Sequence, residues 1–119
     1  MASNPFPDTP ADLYQKPGYE LIQSFHSIKR FCERTDRYLN MNIDRMVTAV
    51  VAGGVWYGVQ RGVRDRLALC TVKDIGGEKP DMEIVAAIRH VGGKTFYIQT
   101  FLTKEMAESN MVGTSTVPV

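Results

Sequence analysis

The side chains best suited to nucleophilic, acid–base or metal chemistry in this 119-residue chain are Cys32, Cys70, His26 and His90. Nucleophilic catalysis needs a nucleophile, a base and a group that orients the base. Cys70, His90 and Asp74 form the one trio that can be assembled, because Cys70 and His90 fall on neighbouring strand candidates. Their spacing does not bring them together, and a core cysteine beside a rim histidine is the simpler reading. Both cysteines sit among apolar neighbours, where a free thiol behaves as a small hydrophobe. Neither belongs to a C-x-x-C pair, and no H-x-x-x-H occurs, so no metal site is expected. His26 flanks an apolar helical stripe and reads as structural.

Two further patterns touch on phosphate. Gly93-Lys94-Thr95 matches the end of a phosphate-binding loop, but Ile88 stands where that loop requires glycine and an apolar run follows instead of a helix. The tripeptide therefore reads as part of a hairpin turn. Basic residues gather as Lys29, Arg30, Arg34, Arg37 and Arg45, and again as Arg61, Arg64 and Arg66, with Phe31 and Tyr38 interleaved in the first group. Such faces can grip a phosphate backbone. Here Glu33, Asp36, Asp44 and Asp65 dilute them, so a solvated or partner-facing surface is expected. The acids are scattered and offer no paired-carboxylate site. The sequence thus predicts no catalytic residue, no cofactor and no metal.

The elements that would position these residues begin with bulk properties. A 44% hydrophobic, 23% charged chain of net charge +1 fits one soluble domain and argues against a dedicated binder of nucleic acid or anionic membrane. Two unpaired cysteines favour a reducing compartment. The start, M-A-S-N-P-F-P, has neither the basic residues nor the apolar run of a secretory signal.

Residues 1–17 hold four of the six prolines and read as an extended arm. Within it, Asp8 or Thr9 and Pro10 would open a short helix over Ala11–Gln15. Leu21, Ile22, Phe25, Ile28, Phe31 and Cys32 keep three–four spacing and predict a helix over Tyr19–Glu33. Tyr38, Leu39, Ile43, Met46, Val47, Val50 and Val51 predict a second over Asp36–Ala52, with Asn42 as a fresh cap and Gly53-Gly54 as its stop. The period then falls to two. Val55, Tyr57, Val59 and Val63 alternate with Gly54, Trp56, Gly58, Gln60 and Gly62 as a strand. Leu67–Lys73 is a second strand, and Ile75–Asp81 a polar loop. Glu83–Thr103 reads as a hairpin turning at Gly92-Gly93, with Arg89 opposite Phe96 and Val91 opposite Lys94. In that register Ile84, Ala86, Ile88, Tyr97 and Phe101 share one face; Val85, Ala87, Phe96, Ile98 and Leu102 share the other. A short helix, Lys104–Ser109, and a tail over 109–119 complete the chain, leaving 18–108 as the globular domain.

The expected fold is therefore α+β: two N-terminal helices packed on an antiparallel meander of three or four strands. The glycine row Gly54, Gly58, Gly62 marks a close-packing surface. It also raises an alternative, a mainly helical chain with one glycine-notched membrane span over Met46–Gln60. That stretch has fifteen uncharged residues, where a span needs about twenty. A hairpin apolar on both faces needs cover on both sides. The functional expectation is a non-catalytic structural or adaptor subunit, a homo- or hetero-oligomer, packing through Gly54, Trp56, Gly58, Gly62, Phe96, Ile98 and Phe101. A membrane accessory subunit is the alternative; a small ligand-binding or enzymatic domain near Trp56, Tyr57, Cys70 and His90 is the weaker one.

Overall fold

A computed structural model of the chain describes residues 5–35, 42–60, 65–73, 80–109, 111 and 112. Its elements are α1 (Asp12–Gln15), β1 (Glu20–Gln23), α2 (Phe25–Thr35), α3 (Ile43–Ala52), β2 (Val55–Gln60), β3 (Arg66–Val72), β4 (Met82–Gly92), β5 (Thr95–Leu102), α4 (Lys104–Ser109) and β6 (Met111–Val112). The fold is α+β. The sheet order is β1-β5-β4-β3-β2-β6. Strands β2 to β5 form a four-stranded antiparallel meander; β1 adds in parallel to β5, and β6 caps the other edge against β2.

The first predicted helix is shorter than its apolar spacing implies. Tyr19–Gln23 is not helical; Glu20–Gln23 is strand β1, and the helix starts at Phe25. Ser24 makes the break. Its Oγ accepts from the Ser27 N–H at 3.0 Å, while its own N–H donates to Ser27 Oγ at 3.1 Å. This is a capping box with serine in the acidic position, and it satisfies two donors that a new helix leaves open. Of the second predicted helix, Ile43–Ala52 is α3, and residues 36–41 lie outside those described.

The turn of the β4–β5 hairpin falls on Gly93-Lys94, with φ of +149° at Gly92 and +53° at Gly93. Side chains rarely adopt that region, so glycine is required there. Two bulges reset the predicted register. Val91 is extra between the pairs His90–Phe96 and Gly92–Thr95; Gln99 is extra between Ala87–Thr100 and Ile88–Ile98. A bulge reverses the alternation beyond it. As a result Phe96, Ile98 and Phe101 all point to one face with Ile84, Ala86 and Ile88, rather than being divided between two.

That face carries the main core. Ile28 and Phe31 of α2, Ile43, Val47, Val50 and Val51 of α3, and Leu13 of α1 pack on it. The opposite face buries Val85, Ala87 and Leu67 under Ala107 of α4, with Leu102, Tyr57 and Met111 around them. The chain thus covers both faces of its own hairpin.

No helix among the described residues is long and apolar enough to cross a membrane, and Val55–Gln60, the last six residues of the alternative span, is strand. Two glycines of the row are closely approached by other parts of the same chain. A Cβ on Gly54 would meet Cys70 Sγ at 2.7 Å and the Leu69 carbonyl at 3.1 Å; one on Gly58 would collide with the Met111 side chain. Gly62 lies outside the described residues.

Candidate functional site

Cys70 and His90 occupy opposite ends of the same face. Cys70 pairs with Ile84 and His90 with Phe96. Six residues of β4 separate those positions, about 20 Å at the rise of an extended strand. Burial pushes the Cys70 thiol up to about 12, and its Sγ donates to the Ala68 carbonyl at 3.4 Å. A neutral, enclosed thiol far from its base is no nucleophile. Asp74 lies outside the described residues, and His26 is exposed on α2. Among the described residues no group of three or more His, Cys, Asp or Glu converges on a point that would hold a metal.

A different constellation forms at the hairpin end of the helix-side face. Arg66 lies directly across from Ile88, and His90 is two residues further along β4 on the same face. The Arg66 guanidinium sits 4.8 Å from the Phe6 ring centroid and 5.4 Å from that of Trp56. Phe6 meets Trp56 edge-on at 5.4 Å and Phe96 at 5.0 Å; Phe96 in turn meets His90 at 5.1 Å and Tyr19 at 5.9 Å. Lys94 closes the row 5.0 Å over Tyr19. The proline-rich start builds this cluster. Pro7 and Pro10 are buried, Leu13 is in the core, and Trp56 Nε1 donates to the Pro7 carbonyl at 2.8 Å. Residues 5–17 lie on the body of their own chain.

Comparison with protein-family models, with curated proteins and with solved structures finds no match.

Electrostatics separates two neighbouring arginines. Asp65 is 1% exposed, and Arg89 grips it with Nε at 2.8 Å and Nη2 at 3.2 Å from its two oxygens. That hydrogen bond, with the charge behind it, raises the Arg89 pKa. Arg66 is 7% exposed, with the rings of Phe6 and Trp56 against its guanidinium; burial lowers its pKa. His90 Nε2 lies 2.8 Å from the Gly93 carbonyl, so it carries the proton and leaves Nδ1 outward of that bond.

Of the predicted partner-packing residues, Phe96, Ile98 and Phe101 are fully buried in the chain's own core, Trp56 is held by Phe6 and Pro7, and Gly54 and Gly58 are approached by the chain's own atoms. They pack inward. Among the described residues the exposed large apolar side chains are Phe25, Val55, Val91, Ile22 and Met106. A groove of about 760 Å³ beside α3 is lined by Arg45, Met46, Ala49 and Val50, together with Thr71 and Lys73. Sequence reasoning missed Arg66 and Phe6 as a pair. The available signal was one arginine opening the apolar strand L-A-L-C, where a charge needs a special neighbour.

Proposed function

We propose that this chain is a non-catalytic structural subunit that assembles through the edge of its sheet, beginning with a second copy of itself. The observation that carries this reading is β1. No described strand pairs with its outer side, and Ile22 (39% exposed) and Phe25 (68% exposed) lie on it and just beyond it. An open edge presents unpaired N–H and C=O groups and is a template for another strand. Natural edges are blunted by charges, above all lysine, by proline, by bulges or by shortness. Residues Glu20–Gln23 carry no lysine, proline or bulge; their protection is one exposed charge, Glu20, and their length of four, and they place isoleucine on the strand. Two identical edges can pair about a two-fold axis without a second kind of protein. The strand has four residues, so pairing alone is weak, and the neighbouring Phe25 supplies the apolar contact that stabilises it.

Light scattering coupled to size-exclusion chromatography tests the reading. The parent is expected to run at a multiple of 13.3 kDa, and Ile22→Lys at the single-chain mass with an unchanged circular dichroism spectrum. A parent that stays monomeric over its whole soluble concentration range would sink it.

A further inference from the structure

We propose that Arg66 anchors an oxyanion site that takes a phosphate group. A guanidinium offers five N–H donors in a fixed fork that matches oxyanions two oxygens at a time. Here the fork is held in place by Phe6 on one side and Trp56 close by, so little freedom is lost when an anion arrives. Its donors are unfilled: Arg66 makes no hydrogen bond or ion pair with any described residue, whereas the carboxylate next to it in sequence, Asp65, is already taken by Arg89. The donors are not wholly sealed: among the described residues the sealed polar side-chain atoms without a partner are Tyr14 Oη and Gln23 Oε1, and the Arg66 nitrogens are not among them.

A buried cation lacking a counter-charge is costly unless something compensates it. The two rings compensate partly, since a cation over an aromatic face is favourable even when desolvated. An anion completes the compensation, and a desolvated guanidinium attracts it more strongly than one in water does. Charge favours phosphate over carboxylate: a phosphate group carries about −1.5 to −2 near pH 7 and offers three strong acceptor oxygens to the fork, against about −1 for a carboxylate.

Trp56 is the single tryptophan of the chain and lies against the guanidinium, so it reports directly on occupancy. Its fluorescence is titrated in the full chain with inorganic phosphate, adenosine monophosphate and acetate at constant ionic strength. Inorganic phosphate or the ester is expected to give a saturable change, and acetate none; the tighter of the two active probes tells whether the free ion or a phosphate monoester is preferred. Arg66→Met, which keeps the apolar stem and removes the fork, is expected to weaken binding about tenfold or more, as loss of a charged hydrogen-bonded pair does. Lys16→Met, the same charge change at an exposed site, leaves it intact. Absence of a saturable change with phosphate and its ester, an equal response to acetate, or equal losses in the two variants overturns the proposal. Should Arg66→Met not fold, the Arg66 Nε–H resonance of the parent decides: a phosphate-dependent shift supports the site and a stationary signal overturns it.

Discussion

At the scale of single residues, the thiols and phenols of the core make the protein sensitive to alkali. An ordinary cysteine loses its proton near 9.0; burial pushes Cys70 up to about 12. Burial likewise raises Tyr14 well above its usual 10.0, and its hydroxyl beside Thr48 makes no geometrically sound hydrogen bond. In both cases the unfolded chain gives up its proton first. The stability linked to them is complete below about pH 9 and is lost as pH climbs from about 9 towards 12. Thermal melts across that range are expected to show a falling midpoint, and iodoacetamide at pH 8 is expected to mark the half-buried Cys32 well before Cys70. Labelling of native Cys70 at the faster rate would contradict its enclosure. The Asp65–Arg89 pair makes a second expectation. Arg89→Met leaves a buried carboxylate without its partner and should cost about 2–3 kcal/mol in urea unfolding, less than the 3–5 kcal/mol of a wholly buried pair because Arg89 keeps contact with water. Residue roles were unevenly readable beforehand. An apolar setting is enough to mark Cys70 as core. The Trp56–Pro7 hydrogen bond and the Phe6–Arg66 contact join residues about fifty to sixty positions apart, and no local spacing encodes them.

At the scale of elements, the hairpin, the strands of the meander, α3 from Ile43 and the closing helix could all be read from period and turn chemistry, because each is decided by neighbours in sequence. Strand β1 could not. Leu21, Ile22 and Phe25 happen to continue the spacing of Ile28 and Phe31, and four residues are too few for alternation to outweigh it. The Ser24–Ser27 box was the local sign of a boundary. The Gln99 bulge was also invisible: nothing in T-F-Y-I-Q-T-F-L announces which residue is extra, yet it decides that Phe101 joins Phe96 and Ile98. The two described members of the glycine row make a paired test. At Gly54 a methyl group meets backbone carbonyls of Leu69 and Val51 at 3.1 and 3.2 Å, which cannot swing aside. Gly54→Ala should therefore cost about 1–3 kcal/mol. At Gly58 the obstacle is the flexible Met111 side chain, so Gly58→Ala should cost under about 1 kcal/mol. Its signature is local instead. Met111 is displaced, and the backbone pairing of Val59 and Gln60 with Val112 and Met111 loosens, which amide hydrogen exchange at Val59 and Gln60 detects. Equal costs at the two glycines would mean that neither contact has the stated geometry.

At the scale of the whole molecule, the question is how a chain this small hides a hairpin that is apolar on both sides. Three helices lie on one face, as a chain of this size can manage. The other face depends on six residues of α4 and the side chain of Met111. That economy changes what a partner would do. The sheet faces are already occupied, so an assembly of the kind proposed would use the edge at β1 rather than Phe96, Ile98 or Phe101. It also makes α4 the point at which the second face can be uncovered. Ala107 is fully buried over Leu67, Val85 and Ala87. Ala107→Asp forces a carboxylate against hydrocarbon or lifts the helix, and either route should cost about 3 kcal/mol. The two routes differ in what they expose. A lifted α4 uncovers Leu67, Val85 and Leu102 while the helix-side core stays intact, so the variant should bind an environment-sensitive apolar dye such as anilinonaphthalene sulfonate below its melting point and keep its Trp56 emission unchanged. A variant as stable as the parent, with no gain in dye binding, would mean that α4 is not what covers this face.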